Sequence, residues 1–156
     1  HTSYYNKPGA INVHYTRQNG GDEYFIAYES LDFRVLFGFI RLRIVDKDAN
    51  MTSFSVLKNC ALIRELHVYG ETNQVGCATL YGTQHAGIGK RLLKTAETIA
   101  MKRGFWSIVV ISGEGVKGYY EKFGYHEDMT FMKKRFNLLV VWFYQFVNLL
   151  YWILCF

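Results

Sequence analysis

Residues 84–97 read Gln84-His85-Ala86-Gly87-Ile88-Gly89-Lys90-Arg91-Leu92-Leu93-Lys94-Thr95-Ala96-Glu97, and this segment is the most informative feature of the chain. Two glycines at this spacing let the backbone turn tightly and bring its N–H groups close to a ligand. Apolar residues then recur at helical spacing, which predicts a helix from about Gly89 to Arg103. The positive end of the helix dipole and its unpaired amides would point into the turn. The stretch therefore predicts a phosphate-binding turn at the start of a helix.

The segments around this turn predict an α/β layer structure. Alternating or continuous apolar runs indicate strands, and the glycine turn would follow a strand, where such sheets bind ligands. On the second predicted strand, Phe37 and Phe39 are expected to share one face with Arg41 and Arg43. Residues 1–20 are polar and aromatic and are assigned no strand. The predicted elements are a hairpin of Glu23–Glu29 with Val35–Val45, a strand at Ala61–Tyr69, a buried strand at Ser107–Ser112, a short helix at Val116–Phe123, and a last strand or hairpin up to Phe136.

The composition limits the classes of function. The chain has 156 residues, half of them apolar, which suffices for one domain with a sizeable core, expected over residues 1–136. Its net charge of +5 suits an anionic partner such as a nucleotide cofactor or RNA. Three cysteines lie far apart without a CxxC pair, so no disulfide framework and no metal site is predicted. The chain begins at His1, and we expect it to be a fragment or an excised domain.

The two glycines alone are compatible with several interpretations. A Walker loop requires lysine after the second glycine, where Ile88 stands, and a dinucleotide fingerprint requires a third glycine. Both nucleotide interpretations therefore fail. Glycine used simply for close packing at a helix start outweighs a functional role until the surrounding residues are considered.

Two motifs together resemble the GNAT acetyltransferase superfamily. The first is Gln84-x-x-Gly87-x-Gly89, between a strand and a helix, and the second is Gly118-Tyr119-Tyr120-Glu121-Lys122-Phe123-Gly124-Tyr125, after the last buried strand. The resemblance implies a GNAT acyl-CoA N-acyltransferase fold, with a mixed central sheet flanked by helices. It also implies that the turn binds the pyrophosphate of acetyl-CoA.

Further segments resemble the family of Elongator catalytic subunits over roughly Val13 to Phe136. They are Arg64–Gly70, Val110–Val116, Asn19-Gly20-Gly21 and Phe37–Arg43. The resemblance implies a role in tRNA wobble-uridine modification, with other Elongator subunits as partners and a cytoplasmic or nuclear location. The family's S-adenosylmethionine-binding half, which holds a 4Fe-4S cluster, has no counterpart in this sequence. The loop Glu71–Thr83 also lacks the family's usual Ser-Arg-Asp-Pro character.

The same resemblance assigns residues to the site. Tyr120 would donate a proton or a hydrogen bond to the departing thiolate, with Tyr119 as the second candidate, and a core aromatic pair as the structural alternative. Glu65 would act as a base or organise water, or else form a salt bridge beside Arg64. The cofactor-binding residues would be Glu65, Leu66, His67 and Val68 on the central strand, Gln84, His85, Ala86, Gly87, Ile88, Gly89, Lys90 and Arg91 at the turn, and Tyr120. His67 could instead be a packed histidine, and Lys90 and Arg91 a solvated cationic face.

Residues 137–156 differ from the rest of the chain. They contain no charged residue, and a bilayer core requires about 20 residues. Lys133-Lys134-Arg135 precedes them, as the cytosolic flank of a tail anchor would. The aromatic residues, however, are spread along the segment. One interpretation is a tail anchor in an intracellular membrane; the other, which also accounts for the missing initiator methionine, is translated non-coding sequence in a truncated gene model.

The sequence leaves three functions open. The first is the acetyl-CoA-dependent acetyltransferase domain of an Elongator-like tRNA-modifying enzyme. The second is a stand-alone GNAT enzyme acting on a protein lysine, including histones, or on a small amine. The third is a non-catalytic fragment that binds acetyl-CoA or RNA.

Overall fold

The computed structural model describes residues 8–18, 20–46, 55–69 and 87–155. Within these ranges it contains seven strands and three α-helices. The strands are β1 (Gly9–Gln18), β2 (Gly21–Ser30), β3 (Leu36–Val45), β4 (Ala61–Val68), β5 (Ser107–Ile111), β6 (His126–Asp128) and β7 (Phe131–Arg135). The helices are α1 (Ile88–Lys102), α2 (Lys117–Glu121) and α3 (Leu138–Cys155), with short 3₁₀ turns at Ser55–Leu57 and Glu114–Val116.

The strands form one mixed sheet in the order β1-β2-β3-β4-β5-β7-β6. Neighbouring strands are antiparallel except for β4 and β5, which are parallel and are connected through α1. The α/β prediction is confirmed. The predicted helix is also confirmed; α1 ends at Lys102, and Gly104 follows its C-cap Arg103 with a positive φ of 81°.

Strand β1 is the element that the sequence did not reveal. It pairs with β2 over its full length, from Gly9 opposite Ser30 to Gln18 opposite Gly21. It lies at the edge of the sheet, and none of its residues is fully buried. Only its first four residues are partly buried, and the rest of the strand is exposed. Such an edge strand needs no regular alternation of apolar and polar residues, so its sequence resembles a polar loop.

Two β-bulges change which side chains face the core. On β3, Tyr28 pairs with Gly38 and Glu29 pairs with Leu36, so Phe37 is the extra residue. Phe37 consequently lies in the core against Tyr28, and its predicted place beside Phe39 was wrong. On β4, Glu65 pairs with Arg41 of β3 and Ile63 pairs with Leu42, so Arg64 is the extra residue. Because a bulge shifts the alternation, Leu66 and Val68 continue the face begun by Ala61 and Ile63.

The main core lies between α1 and the sheet. The apolar face of α1 is buried through Ile88, Leu92, Leu93, Ala96 and Ala100. It packs with buried residues of the sheet, among them Ile26, Ile40, Leu42, Ile63, Ile108, Val110 and Met132. This packing fixes the start of α1 beside the end of β4, and it thereby positions the cavity described below.

The chain from residue 126 forms the β6–β7 hairpin and then α3. The hairpin confirms the prediction of a last strand or hairpin before Phe136. Helix α3 contacts α1, and Val141 is its one buried residue among those described. By length and composition, α3 is the one helix in the described ranges that could cross a membrane.

Candidate active site

A cavity of about 500 Å³ lies where β4, the start of α1 and the region around α2 meet. Its lining is largely apolar, with two tyrosines and one lysine among its residues. The lining residues are Leu66, Val68, Gly87, Ile88, Gly89, Lys90, Val116, Tyr119, Tyr120 and Phe123. Six of the positions predicted as site residues, from Leu66 to Lys90, line the cavity together with Tyr119 and Tyr120, although Leu66 and Tyr120 lie about a third of the chain apart.

The wall formed by β4 is an unpaired strand edge. Strands β4 and β5 pair only at Ala61–Ile63, opposite Ile108–Val110. Beyond Ile63 the two parallel strands separate, so Arg64–Val68 have no partner on β5. No described strand pairs with this edge beyond Ile63, so its backbone donors and acceptors could form hydrogen bonds with an extended ligand.

The start of α1 supplies unpaired backbone amides. Gly87 occupies the N-cap position with φ of 90°, and no side chain of the described residues caps the helix there. The first main-chain bond of this helix runs from the Arg91 amide to the Gly87 carbonyl, at 2.9 Å. The amides of Ile88, Gly89 and Lys90 thus have no helical partner and face an environment made positive by the helix dipole. Such a helix end suits an anion.

Gly89 has a second, purely steric reason to be glycine. A Cβ atom at this position would overlap the hydroxyl oxygen of Tyr119. The Tyr119 hydroxyl therefore lies directly against the first turn of α1. A Cβ at Gly87, by contrast, would meet no atom within 4 Å, and only its left-handed backbone favours glycine there.

Tyr119 and Tyr120 both line the cavity but differ in burial. Tyr120 is 5% exposed, and Tyr119 is partly buried. Their rings meet edge to face at 5.3 Å between centroids, and Phe123 and Tyr125 extend this aromatic group. Burial raises the pKa of Tyr120 to about 12 and also raises the pKa of Tyr119. Both hydroxyls are consequently protonated near neutral pH and can donate hydrogen bonds.

Glu65 and His67 lie on the face of β4 away from the cavity. The Arg41 guanidinium donates to Glu65 Oε1 at 2.7 Å, and His67 Nε2 lies 3.4 Å from Glu65 Oε2. The hydrogen bond from Arg41 is the largest cause that lowers the pKa of Glu65. The partner of Glu65 is thus Arg41 across the sheet, while Arg64 pairs with Glu23 at 3.0 Å. Neither the Glu65 nor the His67 side chain lines the cavity, so a general-base role for Glu65 has no support from its position.

The remaining predicted residues differ in whether they line the cavity. Lys90 lines the cavity, whereas the Arg91 guanidinium donates to the Tyr28 hydroxyl at 3.0 Å and lies 4.7 Å from the Tyr28 ring centroid. Gln84, His85 and Ala86 fall outside the described residues.

Val116 and Phe123 line the cavity but were not predicted. Phe123 could have been predicted from its spacing, four residues after Tyr119. No group of three or more potential metal ligands occurs among the residues that the structure describes.

The model of the acetyltransferase (GNAT) family matches residues 2–125. The chain belongs to this family. Membership of this family implies that the domain uses acetyl-CoA. A solved acetyltransferase of the GNAT family from Staphylococcus aureus supports the fold, with a TM-score of 0.52 and 14% identity over 74% of this chain and 68% of its own.

Within the family, the domain is similar to Elongator complex protein 3. It is 41% identical to the Drosophila melanogaster protein over 118 residues and 39% identical to the Saccharomyces cerevisiae protein. These matches cover 74% and 75% of this chain but 21% of each relative, so the chain spans about a fifth of their length. A solved archaeal Elp3 from Methanocaldococcus infernus matches with a TM-score of 0.64 and 30% identity, over 81% of this chain and 30% of that one. The GNAT domain is therefore an acetyltransferase domain of the Elongator type.

Proposed function

We propose that the cavity holds acetyl-CoA and that the domain serves the modification of a tRNA wobble uridine. One observation carries this proposal. Among the described residues, a helix N-terminus without a side-chain cap, a strand edge that β5 leaves unpaired, and the side chains of Tyr119 and Tyr120 all meet at one cavity. These three features match the three chemical parts of acetyl-CoA that a protein must recognise, namely the pyrophosphate, the amide-bearing arm and the thioester.

The pyrophosphate would bind at the start of α1. The amides of Ile88, Gly89 and Lys90 would donate to its oxygens, and the Lys90 ammonium group would offset its charge. Gln84, His85 and Ala86 stay predicted members of this site. Arg91 is the less suitable cation, because its guanidinium is already bound to Tyr28.

The arm of acetyl-CoA would extend along β4. Its amides would pair with the free backbone groups of Glu65–Val68, while Leu66 and Val68 supply the apolar wall. This arrangement gives Glu65 and His67 a backbone role that does not depend on their side chains, which lie on the other face of the sheet.

Tyr120 would act at the thioester, and Tyr119 would act nearer to the phosphates. The Tyr119 hydroxyl touches the first turn of α1, which leaves Tyr120 as the tyrosine free to approach the sulfur. When the acceptor attacks the carbonyl carbon, the C–S bond breaks and negative charge develops on sulfur. With a pKa of about 12, the Tyr120 hydroxyl is a weaker acid than an ordinary thiol, whose pKa is about 8.5. It would therefore stabilise the thiolate by a hydrogen bond rather than by full proton transfer.

The pyrophosphate assignment is tested with Gly87→Asp and its matched control Gly87→Asn. Asn and Asp tolerate left-handed backbone, and the space at this position is open, so both variants should fold. The added carboxylate would repel phosphate, and we expect acetyl-CoA binding, measured by calorimetry, to weaken by about 10-fold or more in Gly87→Asp only. Equal affinities for the two variants would contradict the assignment.

The acceptor and the partners are proposed from the resemblance to Elongator complex protein 3. We expect tRNA to increase acetyl-CoA turnover when the domain is part of its longer protein, with other Elongator subunits present and in the cytoplasm or nucleus. S-adenosylmethionine and a 4Fe-4S cluster would belong to the portion of such a protein outside this chain. Turnover that responds to lysine peptides, histone peptides or small amines but not to tRNA would instead indicate a stand-alone acetyltransferase. Binding without any turnover would indicate a non-catalytic module.

A further inference from the structure

Helix α3 exposes an unusually broad apolar surface. None of its residues is charged, and the large apolar side chains that are exposed extend along its whole length. They are Leu138, Leu139, Val140, Trp142, Phe143, Phe146, Val147, Leu149, Leu150, Tyr151, Trp152, Ile153 and Leu154. With roughly 100° between successive residues, most of these side chains span an arc of about 220° around the helix axis.

Each of the three side-chain amides in this segment has a structural partner. Asn137 Oδ1 accepts a hydrogen bond from the Leu139 amide at 2.9 Å and so caps the start of α3. The Gln145 amide group donates to the carbonyls of Met101 and Lys102 at 3.0 and 2.9 Å. The Asn148 amide group donates to the Lys102 carbonyl at 3.0 Å. These polar residues weaken a membrane-spanning interpretation; Asn137 caps α3, and Gln145 and Asn148 hold α3 on α1.

The contacts with α1 define one strip of the helix. Val141, Gln145 and Asn148 form this α1-facing strip, since they are spaced four and three residues apart. An ordinary amphipathic helix presents an apolar stripe of about 100° to its partner. The exposed arc of α3 is about twice as wide, so a second helix would cover only part of it. A lipid phase would cover all of it.

The positions of the aromatic residues distinguish the orientation of α3 in such a phase. On a helical projection, Trp142, Tyr144, Tyr151 and Trp152 all lie within roughly 90° of the α1-facing strip. The opposite half contains only aliphatic residues and phenylalanine: Leu139, Val140, Phe143, Phe146, Val147, Leu150, Ile153 and Leu154. Trp and Tyr prefer the interface between lipid and water. Trp142 lies on one side of the strip, Tyr144 and Tyr151 lie on the other side, and Trp152 lies in line with the strip itself. The half of α3 opposite the strip therefore has no Trp or Tyr along its length, which fits a helix that lies along a membrane surface.

Cations lie beside this surface. Arg135 lies two residues before Asn137, which caps α3, and Lys102 carries the carbonyl that Asn148 contacts. Both side chains are exposed and have no ion-pair partner among the residues that the structure describes. They would meet phosphate and carboxylate groups of lipids at the membrane surface.

We propose that α3 binds in the plane of an anionic lipid bilayer, with its aliphatic half among the acyl chains and its α1-facing strip still docked on α1. The surface is separate from the acetyl-CoA cavity, and the proposal stands or falls independently of the proposed enzymatic function. It also differs from a tail anchor, since the helix would not cross the membrane.

The test uses the full chain and vesicles of phosphatidylcholine, with or without phosphatidylserine, in a flotation assay. The key variant is Phe143→Asp, and its matched control is Phe33→Asp, because Phe143 and Phe33 are 62% and 71% exposed. We expect the wild type and the control to bind equally and more strongly to vesicles with phosphatidylserine. Phe143→Asp should bind about 10-fold less or weaker still, since it places a charge among acyl chains. No vesicle binding, equal binding of all three proteins, or a discrete dimer that excludes vesicles would overturn the proposal.

Labelling of Cys155 separates a helix in the membrane plane from a spanning one. Cys155 ends α3 and is exposed. With vesicles present, a membrane-impermeant maleimide added outside should label Cys155, identified by peptide mapping, to the same extent as after detergent treatment. Protection of Cys155 until detergent is added would show that α3 crosses the bilayer, and it would overturn the in-plane orientation.

Discussion

The two ends of α1 differ in whether their terminal backbone groups have hydrogen-bond partners. At the carboxyl end, the chain and α3 satisfy the last carbonyls. The Phe105 amide donates to the Ala100 carbonyl, the Gly104 amide donates to the Met101 carbonyl, and Gln145 and Asn148 add side-chain donors. At the amino end, Gly87 provides no side-chain cap, and the first amides face the cavity.

The difference shows how a helix end can be recognised as structural or functional. A closed end contributes stability, because its polar groups are paired within the chain. An open end beside a cavity leaves its hydrogen bonds and its dipole available to a ligand. The next four predictions test this contrast, beginning with the change that should affect both ends at once.

Leu92→Ala should weaken the packing of α1 on the sheet, which positions both ends of the helix. The Leu92 side chain is fully buried between α1 and the sheet. Its truncation would leave a cavity and lower the free energy of unfolding by about 2–5 kcal/mol. Urea unfolding measures this loss, and the exposed Lys94→Ala on the same helix should change the free energy by less than about 0.5 kcal/mol. A similar small change in both variants would show that α1 is not held by its apolar face.

Tyr120→Phe should affect only the chemistry beside the open end. We expect acetyl-CoA turnover to fall by roughly 10- to 100-fold while acetyl-CoA affinity stays nearly unchanged, because the hydroxyl would act mainly on the leaving thiolate. Tyr125→Phe is the matched control, since its hydroxyl donates to Glu97 at 3.0 Å away from the cavity. It should lose stability but keep its turnover. Equal turnover in all three proteins would remove Tyr120 from the mechanism.

The pKa of Tyr120 also fixes the pH dependence of this step. The hydroxyl donates only while it is protonated, so its contribution is present below its pKa and is lost above it. Because burial raises that pKa to about 12, turnover should not be halved at about pH 10, where an ordinary tyrosine ionises. A loss of turnover centred near pH 10 in the wild type, and absent from Tyr120→Phe, would show that the hydroxyl is solvated.

Gln145→Ala should weaken the closed end by the smallest amount. Two hydrogen bonds to α1 carbonyls disappear, but water reaches this exposed site, so we expect about 1 kcal/mol less stability. Gln145→Glu should be worse than Gln145→Ala, since it places negative charge at the negative end of the helix dipole. Acetyl-CoA affinity should be the same in both variants. A change in affinity would mean that the two ends of α1 are coupled.

Several parts of the site were predictable because their signals are local. Gly87 and Gly89 predict a turn, and apolar residues at helical spacing predict α1. Tyr119 and Tyr120 stand in a motif that resembles one of the family. The side of the sheet on which Phe37 lies and the ion-pair partner of Glu65 could not be predicted from local signals. The first depends on a bulge, and the second depends on the register that brings Arg41 opposite Glu65.

The α/β class, the glycine turn and the helix that follows it could be predicted from the sequence, because backbone propensity and periodicity act over a few neighbouring residues. The family could be recognised because its motifs are short and contiguous. Only the tertiary structure decided that β1 is an edge strand, that the Glu65 side chain faces away from the cavity, and that Gln145 and Asn148 close the far end of α1. Each of these depends on pairing between distant segments. Such pairing is set by packing and register across the whole sheet, which no short stretch of sequence specifies.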